Sequence, residues 1–120
     1  MITYENLLQN ALSVLPEFKH EYEDLIERNI IDKESGNHIL FSYIFVPIAL
    51  ETLKQGNEEM KQRYFNFLEN MAASKDVRVT EVCDFTVLEE LYWQADKNDL
   101  WNALGHYSRK GLMTVSTYME

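Results

Sequence analysis

The sequence predicts an all-α protein, a compact bundle of about five to seven short antiparallel helices or a small α-solenoid-like stack of them. Three observations carry this. Apolar residues recur at the spacing of one helical face in several separate windows. Only 4 glycines and 2 prolines punctuate 120 residues, too few for the turns an all-β chain of this length needs. The one stretch rich in β-branched and aromatic residues, 39–46, has no second strand to pair with. No strict repeat is visible, which favours the bundle over the stack.

The first helix is expected to take Thr3 as N-cap, its hydroxyl accepting from an otherwise unpaired amide. Leu7, Leu8, Ala11, Leu12 and Leu15 then form one apolar stripe. Pro16 breaks the chain and suits the first turn of a second helix, because it has no amide to leave unpaired there. On that helix Phe18, Tyr22, Leu25 and Ile26 share a face, while Glu17, Glu21, Glu23, Asp24 and Glu27 fill much of the rest. Residues 32–37 (Asp-Lys-Glu-Ser-Gly-Asn) read as a loop. The apolar run 39–50 is expected to be a buried helix starting near Ser42 or Pro47, since proline is tolerated only in a first turn, and ending at Gly56.

The next two helices have the clearest signals. Asn57 caps one, with Glu58 and Glu59 against the positive end of its dipole and Met60, Tyr64, Phe67, Leu68 and Met71 as its inner stripe. Residues 72–75 turn the chain. Asp76 then caps a helix with a looser inner face of Val79, Val82, Thr86 and Leu91, widened by Val87 and Leu88. A shorter helix is expected from about Asn98 to Leu104, ending at Gly105, and a last one carries Leu112, Val115 and Met119.

A chain of 120 residues is one domain, 1–120, and surface scaling gives about 6,800 Å² of accessible area when folded, enough burial for a core without metal or disulfide. With 46% hydrophobic and 26% charged residues the composition is that of a folded domain, not of a disordered tail. The lone Cys83 suits a reducing compartment, the N-terminus lacks the basic region of a signal peptide, and the 12-residue run 39–50 is too short to span a bilayer, so the cytosol is expected. The net charge of −9 disfavours nucleic-acid and anionic-membrane partners. It is unevenly placed: residues 1–60 hold 11 acids and 4 bases (−7), whereas residues 61–120 hold 9 acids and 7 bases (−2). The plain use of this acidity is solubility; the sharper one is an acidic face for a basic partner.

No catalytic set assembles from the sequence, and neither cofactor nor metal is expected. His20 and Asp24 stand one helical turn apart without a third ligand. Cys83 lies among apolar residues of a core helix, where a free cysteine acts as a small hydrophobe, and His20, His38 and His106 are not marked as its partner. The adjacent carboxylates of Glu58–Glu59 and Glu89–Glu90 point about 100° apart and do not face one another. The aromatics are more informative: six Phe, seven Tyr and two Trp are many for a small bundle. Tyr92, Trp93 and Trp101 cluster near a turn with Glu89, Glu90, Asp96 and Asp99 close in sequence. They either close the end of the core or form an acid-rimmed patch for basic side chains.

The segments 15–18 (Leu-Pro-Glu-Phe), the acidic helix that follows, the apolar run 39–45, and the helical pair 64–69 (Tyr-Phe-Asn-Phe-Leu-Glu) and 85–91 (Phe-Thr-Val-Leu-Glu-Glu-Leu) together resemble a family of small acidic all-helical bacterial proteins similar to toxin-immunity proteins. These are the proteins of contact-dependent inhibition and polymorphic toxin systems. Pro47 and the aromatic tail after Gly105 depart from that pattern. The resemblance implies a non-enzymatic inhibitor that binds a cognate toxin, with a basic nuclease domain fitting the charge. Glu21, Glu23, Asp24 and Glu27 are the expected contact residues, with Tyr92 and Trp93 as additional anchors. The alternative is a helical adaptor or regulatory module unrelated to toxins.

Overall fold

The computed structural model describes residues 1–119, and over these the chain folds into seven helices with no strand. They are α1 (Leu7–Val14), α2 (Pro16–Glu27), α3 (37–55), α4 (Glu58–Ala72), α5 (77–94), α6 (Lys97–Ala103) and α7 (His106–Met119). The all-α bundle is therefore what forms. Its accessible surface of 6948 Å² matches the value expected for one folded domain of this mass.

Most boundaries follow the local chemistry. Pro16 opens α2, Asn57 caps α4 by accepting from the Met60 amide (3.1 Å), and Asp76 caps α5 by accepting from Arg78 (3.0 Å). α3 ends at Gly56, whose φ of +71° is the left-handed conformation glycine adopts freely. Two expectations need correction. The regular part of α1 starts at Leu7 rather than directly after Thr3; Thr3 and Asn6 instead brace the preceding turn, each amide donating to the other's side-chain oxygen. And α3 starts at Asn37, well before Ser42, so Asn37 belongs to the helix and Pro47 sits in its interior.

A widened turn makes that interior proline tolerable. Residues Phe41–Phe45 form a π-helical segment in which the Val46 amide reaches back five residues to the Phe41 carbonyl. Proline lacks an amide and crowds the carbonyl four residues earlier, and the π-turn opens the helix directly ahead of it. α5 has the same interruption at Cys83–Leu88, where the Glu89 amide reaches the Asp84 carbonyl. The two π-turns pack against each other. Each puts three consecutive residues in the core, Ile44 to Val46 and Thr86 to Leu88, which a regular 3.6-residue turn does not do.

The core is centred on five aromatic rings. Phe41, on the π-turn of α3, lies 5.3 Å from Phe18 of α2, 5.4 Å from Phe45 and 6.3 Å from Phe67 of α4, and Phe45 lies 5.3 Å from Tyr64. Tyr64 is fully buried, and its hydroxyl donates to Glu17 Oε1 (3.2 Å) while Arg63 grips both Glu17 oxygens (2.8 and 3.1 Å). The Arg63 hydrogen bonds hold the Glu17 carboxyl below its ordinary range against a desolvation that raises it.

A second carboxylate closes α7. Glu69 of α4 accepts from the amides of Tyr107 (2.7 Å) and Ser108 (2.9 Å) and from the Ser108 hydroxyl (2.8 Å), capping a helix that has no local cap of this kind. Burial raises this carboxyl, but the Tyr107 and Ser108 donors outweigh it and the net shift is downward. Gly105 gives the carboxylate its space, since a Cβ there would stand 2.6 Å from Glu69 Cδ. Glu69→Ala is expected to destabilise the fold by about 1–3 kcal/mol, the range for orphaned donors. Gly105→Ala should cost a similar amount in the native protein and much less in the Glu69→Ala background, since both remove one interaction. Because the folded pKa lies below the unfolded one, this stabilisation is complete above the ordinary value of 4.5 and is lost as pH falls through the folded value. Urea titrations of the four chains at neutral and acid pH check all three points; additive losses would contradict the cap.

Candidate functional site

Helix α2 is held by its inner face. Phe18 and Leu25 are buried, Tyr22 and Ile26 pack beside them, and Glu17 is fixed by Arg63. The remaining carboxylates are presented outward. Glu23 and Glu27 are exposed and Glu21 is half-buried; none of the three makes an ion pair or hydrogen bond among the described residues. Asp24 pairs with Arg28 at 3.2 Å, an exposed contact one helical turn along that contributes little. Three of the four expected acidic contact residues therefore carry uncompensated charge on one rigid helix. His20 is exposed on this helix, and among the described residues no three His, Cys, Asp or Glu side chains gather as a metal-ligand set.

Of the two readings of the aromatic cluster at the end of α5, the acid-rimmed patch is not what the geometry forms. Tyr92 and Trp93 are neighbours, their rings 5.6 Å apart and edge-on, with Trp93 exposed and Tyr92 half-buried. The Tyr92 ring is covered by Lys97, whose Nζ lies 4.2 Å from the ring centroid and donates to the Tyr92 carbonyl at 2.6 Å. Trp101 is covered by Arg109, 4.9 Å from the ring centroid, whose Nε donates to the Trp101 carbonyl at 3.1 Å. Three of the four nearby acids turn elsewhere, while Glu89 stays on the helix row of Tyr92. Asp96 caps α6, and with Asp99 it lines a groove beside Leu50, Leu53 and Lys54 of α3. Glu90 accepts from Ser42 across the helix pair (3.0 Å). Successive helical positions face different neighbours, so acids close in sequence to the aromatics need not surround them. No hydrogen bond or ion pair among the described residues links the α2 acids to Tyr92 and Trp93.

One polar arrangement was not singled out from the sequence. Where α3 and α5 cross at their π-turns, His38 Nδ1 and Thr86 Oγ1 share a hydrogen bond of 2.6 Å, one turn from the Ser42–Glu90 bond. The trace in the sequence is the matched spacing of four in His38/Ser42 and Thr86/Glu90. These bonds fix the register of the two helices. Cys83 beside them is fully buried, its Sγ facing the Leu68 carbonyl at 3.9 Å, and burial pushes its thiol well up, as in an inert core cysteine.

A family model described as a domain of unknown function (DUF7674) matches residues 8–119, nearly the whole chain, and the chain belongs to that family. No curated protein and no solved structure matches it.

Cation–π contacts at exposed sites are worth about 0.5–1 kcal/mol. Arg109→Ala should lower stability by about that amount and alter the emission of Trp101, one of two tryptophans, while the far-ultraviolet helical signal stays unchanged. Urea unfolding followed by tryptophan fluorescence measures both; an unchanged emission spectrum would show that the guanidinium does not rest on the ring.

Proposed function

We propose that this member of the DUF7674 family works by binding a protein partner, and that the partner is a bacterial toxin with a basic domain of nuclease type, which the protein neutralises. The supporting observation is the outer side of α2, where Glu21, Glu23 and Glu27 have no counter-ion among the described residues on a helix anchored by Phe18 and Leu25. Unpaired carboxylates on a rigid element cost little to organise on binding and set up a local negative potential that steers a basic partner. Neutralisation needs no chemistry from this chain; it needs a complementary surface held over the toxin's active site or its path to substrate. The net charge of −9 and the resemblance to small acidic immunity proteins point the same way.

Reversing Glu21, Glu23, Asp24 and Glu27 to lysine is expected to leave the helical signal intact, with changes within about ±0.5 kcal/mol per position, as at most surface sites. Partner association should slow and lose much of its salt dependence. The decisive measurement is survival of cells that co-express the chain with a toxin domain encoded beside it, with an unrelated toxin as control. Rescue by the native chain and its loss in the quadruple variant are expected. Neither rescue nor complex with a toxin shown to kill overturns the proposal.

A further inference from the structure

A groove runs between α5 and α7 that no side chain among the described residues fills. The second half of α5 lies antiparallel to α7, with Phe85 meeting Tyr118 edge-on at 5.8 Å near one end. Towards the other end, Tyr92, Leu112, Met113 and Ser116 surround a cleft of about 280 Å³ closed by Lys97 and Trp101. The helices come this close because residue 111 is glycine; a Cβ there would lie 2.3 Å from Asp84 Oδ1 and 2.9 Å from Leu88 Cδ1. Phe85, Trp101, Met113 and Tyr118 are 44%, 38%, 60% and 76% exposed. Single exposed apolar residues are ordinary, but a row of them along one groove marks a contact surface.

The electrostatics of this groove are opposite to those of the chain. The protein carries −9, yet residues 100–119 contain no aspartate or glutamate and do contain Arg109 and Lys110. Lys97, Arg109 and Lys110 form no ion pair among the described residues; Lys97 and Arg109 are held in place on aromatic faces instead. The carboxylates beside this groove are Glu89 on the Phe85–Tyr92 row and Asp84 against Gly111, so negative charge on a ligand is repelled there and drawn to Lys97 and Arg109 at the α6 end.

We propose that this groove docks an amphipathic helical segment of a partner protein, with apolar anchors in the Tyr92–Met113 cleft and carboxylates paired to Lys97 and Arg109. Apolar anchors account for the exposed row, and an acidic end accounts for cations that have no carboxylate partner among the described residues. The acidic helix α2 of a second copy fits poorly, because it keeps Phe18 and Leu25 buried and has no such anchors to offer. An anionic membrane fits poorly too, since the net charge opposes it and a cleft between helices receives side chains rather than a flat interface. The site uses none of the α2 acids and stands or falls independently of the toxin proposal.

The test is selection of a random-peptide phage library on the full chain, followed by fluorescence anisotropy with a labelled peptide made from the enriched consensus. The expected consensus has aromatic or aliphatic residues at helical spacing followed by Asp or Glu. Its binding should weaken as salt rises. It should also weaken by at least about tenfold, some 1.4 kcal/mol, in Lys97→Glu/Arg109→Glu and in Met113→Glu. Met113→Ser, a milder change at an exposed position, replaces Met113→Glu if circular dichroism shows that variant unfolded. An empty selection, a basic consensus, or binding unchanged in these variants overturns the proposal. So does sedimentation with phosphatidylcholine–phosphatidylglycerol vesicles that the same substitutions abolish, or a homodimer broken by Met113→Glu.

Discussion

Everything in this fold is arranged around the contact of five aromatic rings at the first π-turn. Phe41 and Phe45 lie at the two ends of that turn, and from it they reach Phe18 of α2 and both Tyr64 and Phe67 of α4. An ordinary turn would also bring residues 41 and 45 to one side, but it would turn Val46 away and meet Pro47 with its carbonyl ladder intact. Widening the helix lets both rings and Val46 enter the core and leaves Pro47 exposed. The second π-turn, on α5, packs against the first and places Thr86, Val87 and Leu88 inside. A buried aromatic cluster of this kind is dense and directional, so helix positions around it are closely constrained.

The helices themselves are short. Most of them fall at or below the ~12–15 residues at which an isolated helix becomes marginal in water, so their stability comes from tertiary packing. Carboxylates from distant elements complete that dependence. Glu17 receives Arg63 and Tyr64, Glu69 caps α7, and Asp76 caps α5 while accepting the Tyr4 amide at 2.9 Å. The Tyr4 amide and the Arg78 side chain both lower the Asp76 carboxyl. An acidic protein thus uses part of its negative charge internally, as acceptors for helix ends, and keeps the rest at the surface.

That surface charge is segregated. α2 carries uncompensated acids on an anchored helix, whereas residues 100–119 contain no aspartate or glutamate and the α6–α7 region stacks Lys97 and Arg109 on aromatic rings. The two faces attract opposite kinds of partner. Segregation of this kind discriminates between partners, because a mismatched one meets like charge.

The sequence by itself determined the class of fold and most helix ends. Pro16, Asn57, Gly56 and Asp76 act within one or two turns of themselves, through a missing amide, a side-chain acceptor or a left-handed φ, so their effect is legible without neighbours. The stripe of α4 was equally legible because a regular helix repeats its inner face. Only the tertiary structure decided the course of residues 37–55. A π-turn inserts an extra residue and breaks that repeat, and what stabilises it is the ring cluster and the facing π-turn, which are remote in sequence. For the same reason the surroundings of Tyr92 and Trp101 were open in the sequence: acids are close along the chain, but the direction of each side chain is set by which helix packs beside it. Asp96 and Asp99 face α3, and Lys97 and Arg109, from two different helices, cover the aromatic rings. Local chemistry specifies helices; which of their faces meet, and therefore which residues form a surface together, is fixed only when the helices pack.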